Sequence, residues 1–259
     1  MKKEGIGHIE MILAFLIFVS SIMFIFYYFN VGNVTKNNDA MLAFLELEIA
    51  KKVKIDVTTA TFVINSTFTQ TLGDPGIVLL QLPEELPAEQ GVRAEAYDRT
   101  KLKSSIDQNR KIIYVDRTLL PGSSKSNFVR IVSSKDTPSE DQISSTARAP
   151  QAGTPPALLP AIIPSSIDTK KMYSEKQLKD LKASYNYNYI AQRKTLKLSD
   201  RVDFSFKIAL PEIGGGETLI NAESPIPSGV PISALNRRVE VLRSLDGSRV
   251  FANFGIRVW

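Results

Sequence analysis

Few residues in this chain are of the types that act as nucleophiles, general acids or metal ligands. Among its 259 residues there is no cysteine, and the single histidine, His8, stands just before a long apolar run. These counts exclude a thiolate zinc site, a disulfide framework and a Ser-His-Asp triad in the bulk of the chain. The adjacent carboxylates Glu84 and Glu85 are more typical of a solvated loop than of a general acid and base. We therefore expect no catalytic residue, no metal and no cofactor.

One cluster of aromatic and cationic residues has two interpretations. Tyr185, Tyr187 and Tyr189 alternate with asparagines, and Arg193 follows them. Surfaces that stack single-stranded nucleic acid or glycan interleave aromatics and cations in this way. Tyr185 and Tyr189 also continue a helical spacing that begins at Leu178, which favours core packing instead. The sequence is compatible both with contact of these residues with a surface glycan or DNA and with their burial in a core.

Two tripeptides match the acceptor pattern for N-glycosylation. They begin at Asn33 and Asn65, and each ends in threonine. Modification requires that these residues lie outside the cytoplasm and that the host carries the machinery. The formal net charge of +5 is modest, and a solvated mixture of charges accounts for it better than a dedicated polyanion-binding surface.

The amino-terminal region contains an apolar segment long enough to cross a membrane. Residues 11–29 carry no charge, no glycine and no proline, and as a helix they would span about 29 Å, the thickness of a hydrocarbon core. Lys2 and Lys3 precede the segment, and cations flanking a span are retained in the cytoplasm. We predict a single-pass protein with its amino terminus inside and the remainder outside. The segment ends in aromatics rather than small residues, which is unlike a secretory signal peptide.

The residues before this segment form a specific pattern. Lys2, Lys3, Glu4 and Gly5 are followed by the five residues Ile6 to Glu10, with an acid at the entrance to the apolar run. In this the sequence resembles the type IV prepilin family, whose class III leaders are cut by a prepilin peptidase. The resemblance implies cleavage between Gly5 and Ile6, retention of the helix and assembly with other pilin subunits through it. The carboxyl-terminal hairpin, ending in Arg257-Val258-Trp259, is similar to those of archaeal pilin-like proteins.

Glu10 needs a partner, because a carboxylate within a membrane segment is costly. Its own lysines are one partner. Cleavage after Gly5 would supply another, the α-amino group of Ile6, which is cationic at neutral pH with a reference pKa of about 8. In a filament, Glu10 of one chain would then pair with the Ile6 amine of a neighbour and set the axial register. The alternative is that Glu10 is an interfacial charge tolerated on an uncleaved anchor.

The rest of the chain predicts an α+β fold, with a long amino-terminal pilin-type helix and a mostly antiparallel β-rich extracellular head. The helix should occupy residues 6–54 after the leader 1–5, with a polar break near residues 30–39 that could kink it. Alternating patterns predict a first β-rich part over 55–134 and a strand over 203–210. A Pro/Ser/Ala-rich stretch, 135–171, reads as an exposed linker, and 211–235 as a long loop. The second part, 172–259, should comprise one helix over 174–190 and a terminal hairpin turning at Gly247.

These features favour a pilin-like, minor subunit of a type IV pilus-like surface filament, located in the cytoplasmic membrane before assembly. The expected partners are a prepilin peptidase, other pilin subunits and the membrane. A permanently anchored single-span surface protein, whose head binds a glycan, nucleic acid or envelope partner, is the alternative. Removal of residues 1–5 distinguishes the two.

Overall fold

The computed structural model describes residues 4–64, 77–107, 109–116, 128–138, 162–212 and 215–259. A single helix of 50 residues, α1 (Glu4–Val53), opens the fold and is about 75 Å long. Its backbone is helical throughout, so the polar stretch at 30–39 does not interrupt it. The remaining helices are α2 (Glu175–Tyr187) and α3 (Tyr189–Thr195). The strands are β1 (Lys54–Val63), β2 (Ile77–Gln81), β3 (Gly91–Ala96), β4 (Lys101–Leu102), β5 (Ser104–Ile106), β6 (Ile112–Asp116), β7 (Phe128–Ser134), β8 (Ser166–Ser174), β9 (Phe204–Pro211), β10 (Glu217–Ala222), β11 (Ser233–Leu242) and β12 (Arg249–Val258).

Nine strands form one sheet, in the order β10-β9-β12-β11-β8-β1-β7-β3-β4, and β2, β6 and β5 form a second, smaller sheet. All neighbours in the large sheet are antiparallel except β8 and β11, which pair in parallel over only two residue pairs. The two β-rich parts predicted from the sequence are therefore joined in one sheet. The coarse expectation of an apolar amino-terminal helix followed by a mostly antiparallel β structure is confirmed.

Two apolar cores lie on the same face of the large sheet. Strand register shows this, because residues directly opposite one another on paired strands point to one side. Lys54 of β1 lies opposite Tyr173, a residue of the first core. Ala60 belongs to the second core and lies six residues after Lys54 on β1, so its side chain points to the same side of the sheet. The first core packs α1 and α2 against β9 to β12, and the second packs the small sheet against β1, β3, β4 and β7.

The opposite face carries a buried ionic cluster where the turn between β11 and β12 reaches β3. Glu95 is 1% exposed and accepts hydrogen bonds from Arg93 at 3.0 Å and Arg249 at 3.2 Å. Arg93 also lies 3.7 Å from the carboxylate of Asp246 in the turn. Gly247 adopts φ 68°, as the tight turn requires. This cluster ties the carboxyl-terminal hairpin to the amino-terminal half of the sheet.

Three predicted elements differ from the structure. Strand β8 begins at Ser166, inside the range 135–171 assigned to a linker, and it occupies a central position in the sheet. The helix expected over 174–190 is two helices, because Asn188 ends α2 and its side chain caps α3 by accepting from the Ala191 N–H at 2.9 Å. The loop expected over 211–235 contains β10 and the start of β11.

Candidate functional site

The first half of α1 presents a continuous apolar surface whose large side chains stay mostly exposed within the part of the chain that the structure describes. Within the described residues, the segment Glu10–Tyr27 is the one helical stretch long and apolar enough to cross a membrane, and none of it is buried. Twelve large apolar side chains between Met11 and Tyr27 are 52–73% exposed. Apolar residues cover all sides of this segment rather than one stripe, which is typical of a helix surrounded by lipid or by other helices.

This exposure is energetically unfavourable in water. Burying a large apolar side chain stabilises it by about 1.5–3 kcal/mol, so removing the remaining exposed surface of these twelve is worth on the order of 10–20 kcal/mol. That amount is comparable with the whole stability of a typical domain. The segment is therefore suited to a hydrocarbon environment or to an interface with equivalent helices.

The second half of the same helix is part of the core of the head. Leu45, Ile49 and Val53 are fully buried and Leu42 is 8% exposed, and they pack against strands that include Phe206, Ile208 and Phe254. Their spacing of three and four residues places them on one face of α1. The exposed apolar half and the buried half thus belong to one continuous helical rod.

Polar contacts hold the second half of α1 against the head. Glu46 forms an ion pair with Arg237 of β11, and Asp39 accepts a hydrogen bond from Ser233 at 2.8 Å. Glu48 contacts Lys51 at 2.6 Å and Lys197 at 3.4 Å. The hydrogen bond from Lys51 chiefly lowers the pKa of Glu48, and Lys197 adds to this effect. The partners of Glu46 and Glu48 in β11 and after α3 carry no signal in the sequence, because only the fold brings them together.

The described residues predicted for processing and assembly lie at the amino-terminal end of α1. Gly5 and Ile6 are in its first turn, whereas Lys2 and Lys3 lie outside the described residues. Glu10 is exposed at the start of the apolar segment. This placement leaves the Gly5–Ile6 bond and Glu10 far from the head along the rod.

Two of the three tyrosines considered as a ligand platform are core residues. Tyr185 is 5% exposed and donates a hydrogen bond to the Phe204 carbonyl at 2.8 Å, and burial raises its pKa to about 12. Tyr189 donates to Asp203 at 2.7 Å, and burial also raises its pKa. Arg193 contacts the same Asp203 at 3.3 Å. Tyr187 alone is freely exposed, at 93%, so these residues do not form a stacking surface.

The remaining predicted positions have limited structural context. Asn33 is a helical residue of α1 rather than part of a loop, and Asn65 lies outside the described residues. Among the described residues, no group of three or more acidic or histidine side chains is arranged to hold a metal ion. The exposed apolar half of α1 is the feature with the clearest functional meaning.

Comparisons with known proteins add no relative from which a role could be taken. No protein-family model, no curated protein and no solved structure matches the chain.

Proposed function

We propose that the chain is a pilin-like, minor subunit of a type IV pilus-like surface filament. A prepilin peptidase would remove residues 1–5, and the subunit would leave the membrane and assemble through the apolar half of α1. Before assembly that half spans the cytoplasmic membrane, with the head outside. No catalytic residue is needed for this role.

The observation that carries the proposal is the division of α1 into two halves. Residues 10–27 expose apolar side chains on all sides, and Leu45, Ile49 and Val53 are fully buried in the head. A tether would not need its helix to continue into the core of the domain that it anchors. A filament subunit does, because the helix must hold each head at a fixed position relative to the helical shaft.

The leader pattern supports processing on the cytoplasmic side. Lys2, Lys3 and Gly5 precede Ile6, as in class III leaders. Cleavage would expose the Ile6 amine one helical turn from Glu10, since four residues advance a helix by about 6 Å. Glu10 could therefore pair with the Ile6 amine of its own chain or with that of a neighbour. In the second case, the position of the neighbour's Ile6 amine would set the axial register between the two subunits.

Intact mass measurement of the protein from host membranes tests the processing step. We expect the wild-type mass to lack residues 1–5, and Gly5→Val to restore the full-length mass. Gly7→Val is a matched control, because it places the same side chain two residues beyond the cleavage site and should still be shortened. A wild-type chain that retains Met1, or a Gly5→Val chain that is still shortened, contradicts the proposal and favours the permanently anchored alternative.

Glu10→Gln tests the assembly step separately. We expect this variant to insert and to be processed, because the helix stays apolar, but to be absent from filaments sheared off the cells. Filaments containing Glu10→Gln at the wild-type level would show that the carboxylate is not required for register.

A further inference from the structure

The face of the large sheet that points away from α1 carries an open groove. It is lined by residues from four neighbouring strands and has a volume of 450 Å³. Lys207 and Ala209 come from β9, and Asn253 comes from β12. The other lining residues are Glu217, Leu219, Asn236, Arg237 and Arg238.

Strand alternation places this groove opposite the helical layer. On β9, Phe206 and Ile208 point into the core beneath α1, and Lys207 and Ala209 lie between them in sequence. On β12, Asn253 alternates in the same way with Ala252 and Phe254. In a filament whose shaft is made of α1 helices, the groove would therefore face outward.

The chemistry of the groove favours an anion that also carries hydroxyl groups. Two cations, Lys207 and Arg238, point into it against one carboxylate, Glu217. Arg237 lies on the other face of β11, opposite the core residue Phe254, and pairs with Glu46 of α1. Lys207 and Arg238 have no carboxylate partner among the described residues. Asn236 and Asn253 supply amides, which both donate and accept hydrogen bonds. The two cations can bind carboxylates, and the asparagine amides and Glu217 can bind hydroxyl groups. Because the groove carries few charges, it suits a polymer whose own charges are widely spaced.

Gly255 of β12 lies between two of the groove residues, since it pairs with Asn236 of β11 on one side and with Lys207 of β9 on the other. A Cβ atom at Gly255 would lie 2.7 Å from Oδ1 of Asn236 and 3.3 Å from Cγ of Lys207. Glycine at this position lets both side chains lie across β12. A larger residue at this position would displace two of the groups that would contact a ligand.

From these observations we infer that the groove formed by Lys207, Asn236, Arg238 and Asn253 binds an anionic polysaccharide that carries carboxylate groups. The polymer would run across strands β9, β12 and β11. Its carboxylates contact Lys207 and Arg238, and its hydroxyls contact the two asparagines. This site is independent of processing and assembly, since it lies in the head.

Single-stranded nucleic acid fits the groove less well. Proteins that bind it use aromatic side chains on which successive bases stack. Phe251, two residues before Asn253 on β12, is exposed, and the Arg238 guanidinium lies 4.9 Å from the centroid of its ring. A carboxylated glycan needs no such platform.

Binding of the full chain in nonionic detergent to polygalacturonate, a uronic acid polymer, tests the inference. Neutral dextran and a single-stranded oligonucleotide serve as comparison ligands. The test variant is Lys207→Ala with Arg238→Ala. Its matched control is Lys171→Ala with Lys194→Ala, which removes the same charge from exposed lysines outside the groove.

We expect wild type and control to bind polygalacturonate alike, and the groove variant to bind at least tenfold more weakly, since charge-assisted hydrogen bonds are lost. Asn236→Ala should weaken binding severalfold without any change of charge. Circular dichroism verifies that each variant is folded. Equal losses in groove and control variants, equal binding of dextran, tighter binding of the oligonucleotide, or no binding of polygalacturonate would each overturn the inference. The mass of the processed chain bears on the proposed filament role alone and leaves this result unaffected.

Discussion

Substituting Leu45 tests whether α1 is part of the core of the head or merely rests on it. Leu45 is fully buried, whereas Leu47, two residues along the same helix, is 53% exposed. Leu45→Ala removes buried methyl groups and leaves a cavity among β-strand side chains, so we expect it to lower the free energy of unfolding by about 2–5 kcal/mol. Alanine is at least as good a helix former as leucine, so helix propensity does not contribute to this loss.

Leu47→Ala is the matched control, because it makes the same chemical change on the exposed side of the same helix. We expect it to change stability by less than about 0.5 kcal/mol. Urea unfolding of the full chain in nonionic detergent provides the assay. The single tryptophan, Trp259, is 7% exposed and pairs with Asp203, so its fluorescence reports on the head. A loss below about 1 kcal/mol for Leu45→Ala, or equal losses for the two variants, would refute the packing described for α1.

Three further substitutions address the core hydrogen bond, the ionic cluster and pH dependence. Tyr185→Phe removes the hydrogen bond to the Phe204 carbonyl and should cost about 0.5–1.5 kcal/mol in urea unfolding, whereas Tyr187→Phe, on an exposed ring, should cost nothing measurable. Glu95→Ala leaves two arginines without their buried carboxylate and should cost about 3–5 kcal/mol; exposed Glu89→Ala is its control, and equal effects would contradict the buried cluster. Burial acts to raise the pKa of Glu175, but hydrogen bonds from Lys179 and the Ser244 N–H outweigh it and hold that pKa below 4.5. Its contribution to stability is therefore present above pH 4.5 and lost as the pH falls through the lowered pKa, and Glu175→Gln should flatten the acid limb of a stability-versus-pH curve; an unchanged limb would contradict this assignment.

The elements with strong apolar periodicity are predictable from the sequence, and those held by backbone pairing alone are not. Alternation in β9 and β12 identifies both strands, because one face of each is buried. The first six residues of β8 are exposed, so the sequence shows no alternation there, and the strand forms through its eight residue pairs with β1. The prolines before it favour a linker, and the structure differs from that prediction only from Ser166 onward.

The candidate sites likewise include features that the sequence predicts and features that it does not. The apolar run is visible in the sequence because an uncharged segment of this length is the signature of a membrane-spanning helix, and Glu10 is visible as the one charge at its start. The core role of Tyr185 is consistent with its helical spacing from Leu178 and Leu181. The groove was not predictable, because its residues come from strands that only the fold brings together. A single exposed lysine or asparagine on a strand carries no sequence signal of its neighbours.

Cysteine cross-linking in the native host tests the central claim most directly, because the chain has no cysteine of its own. Ile17 lies within the apolar segment and is 60% exposed, and Val63, on the head, is 46% exposed. If α1 helices pack side by side in a filament, Ile17→Cys should give disulfide-linked multimers in the sheared extracellular fraction. Val63→Cys is the comparison variant, because a cross-link there reports a contact between heads rather than between helices. Recovery of Ile17→Cys solely as a monomer in the membrane fraction would contradict assembly through the helix.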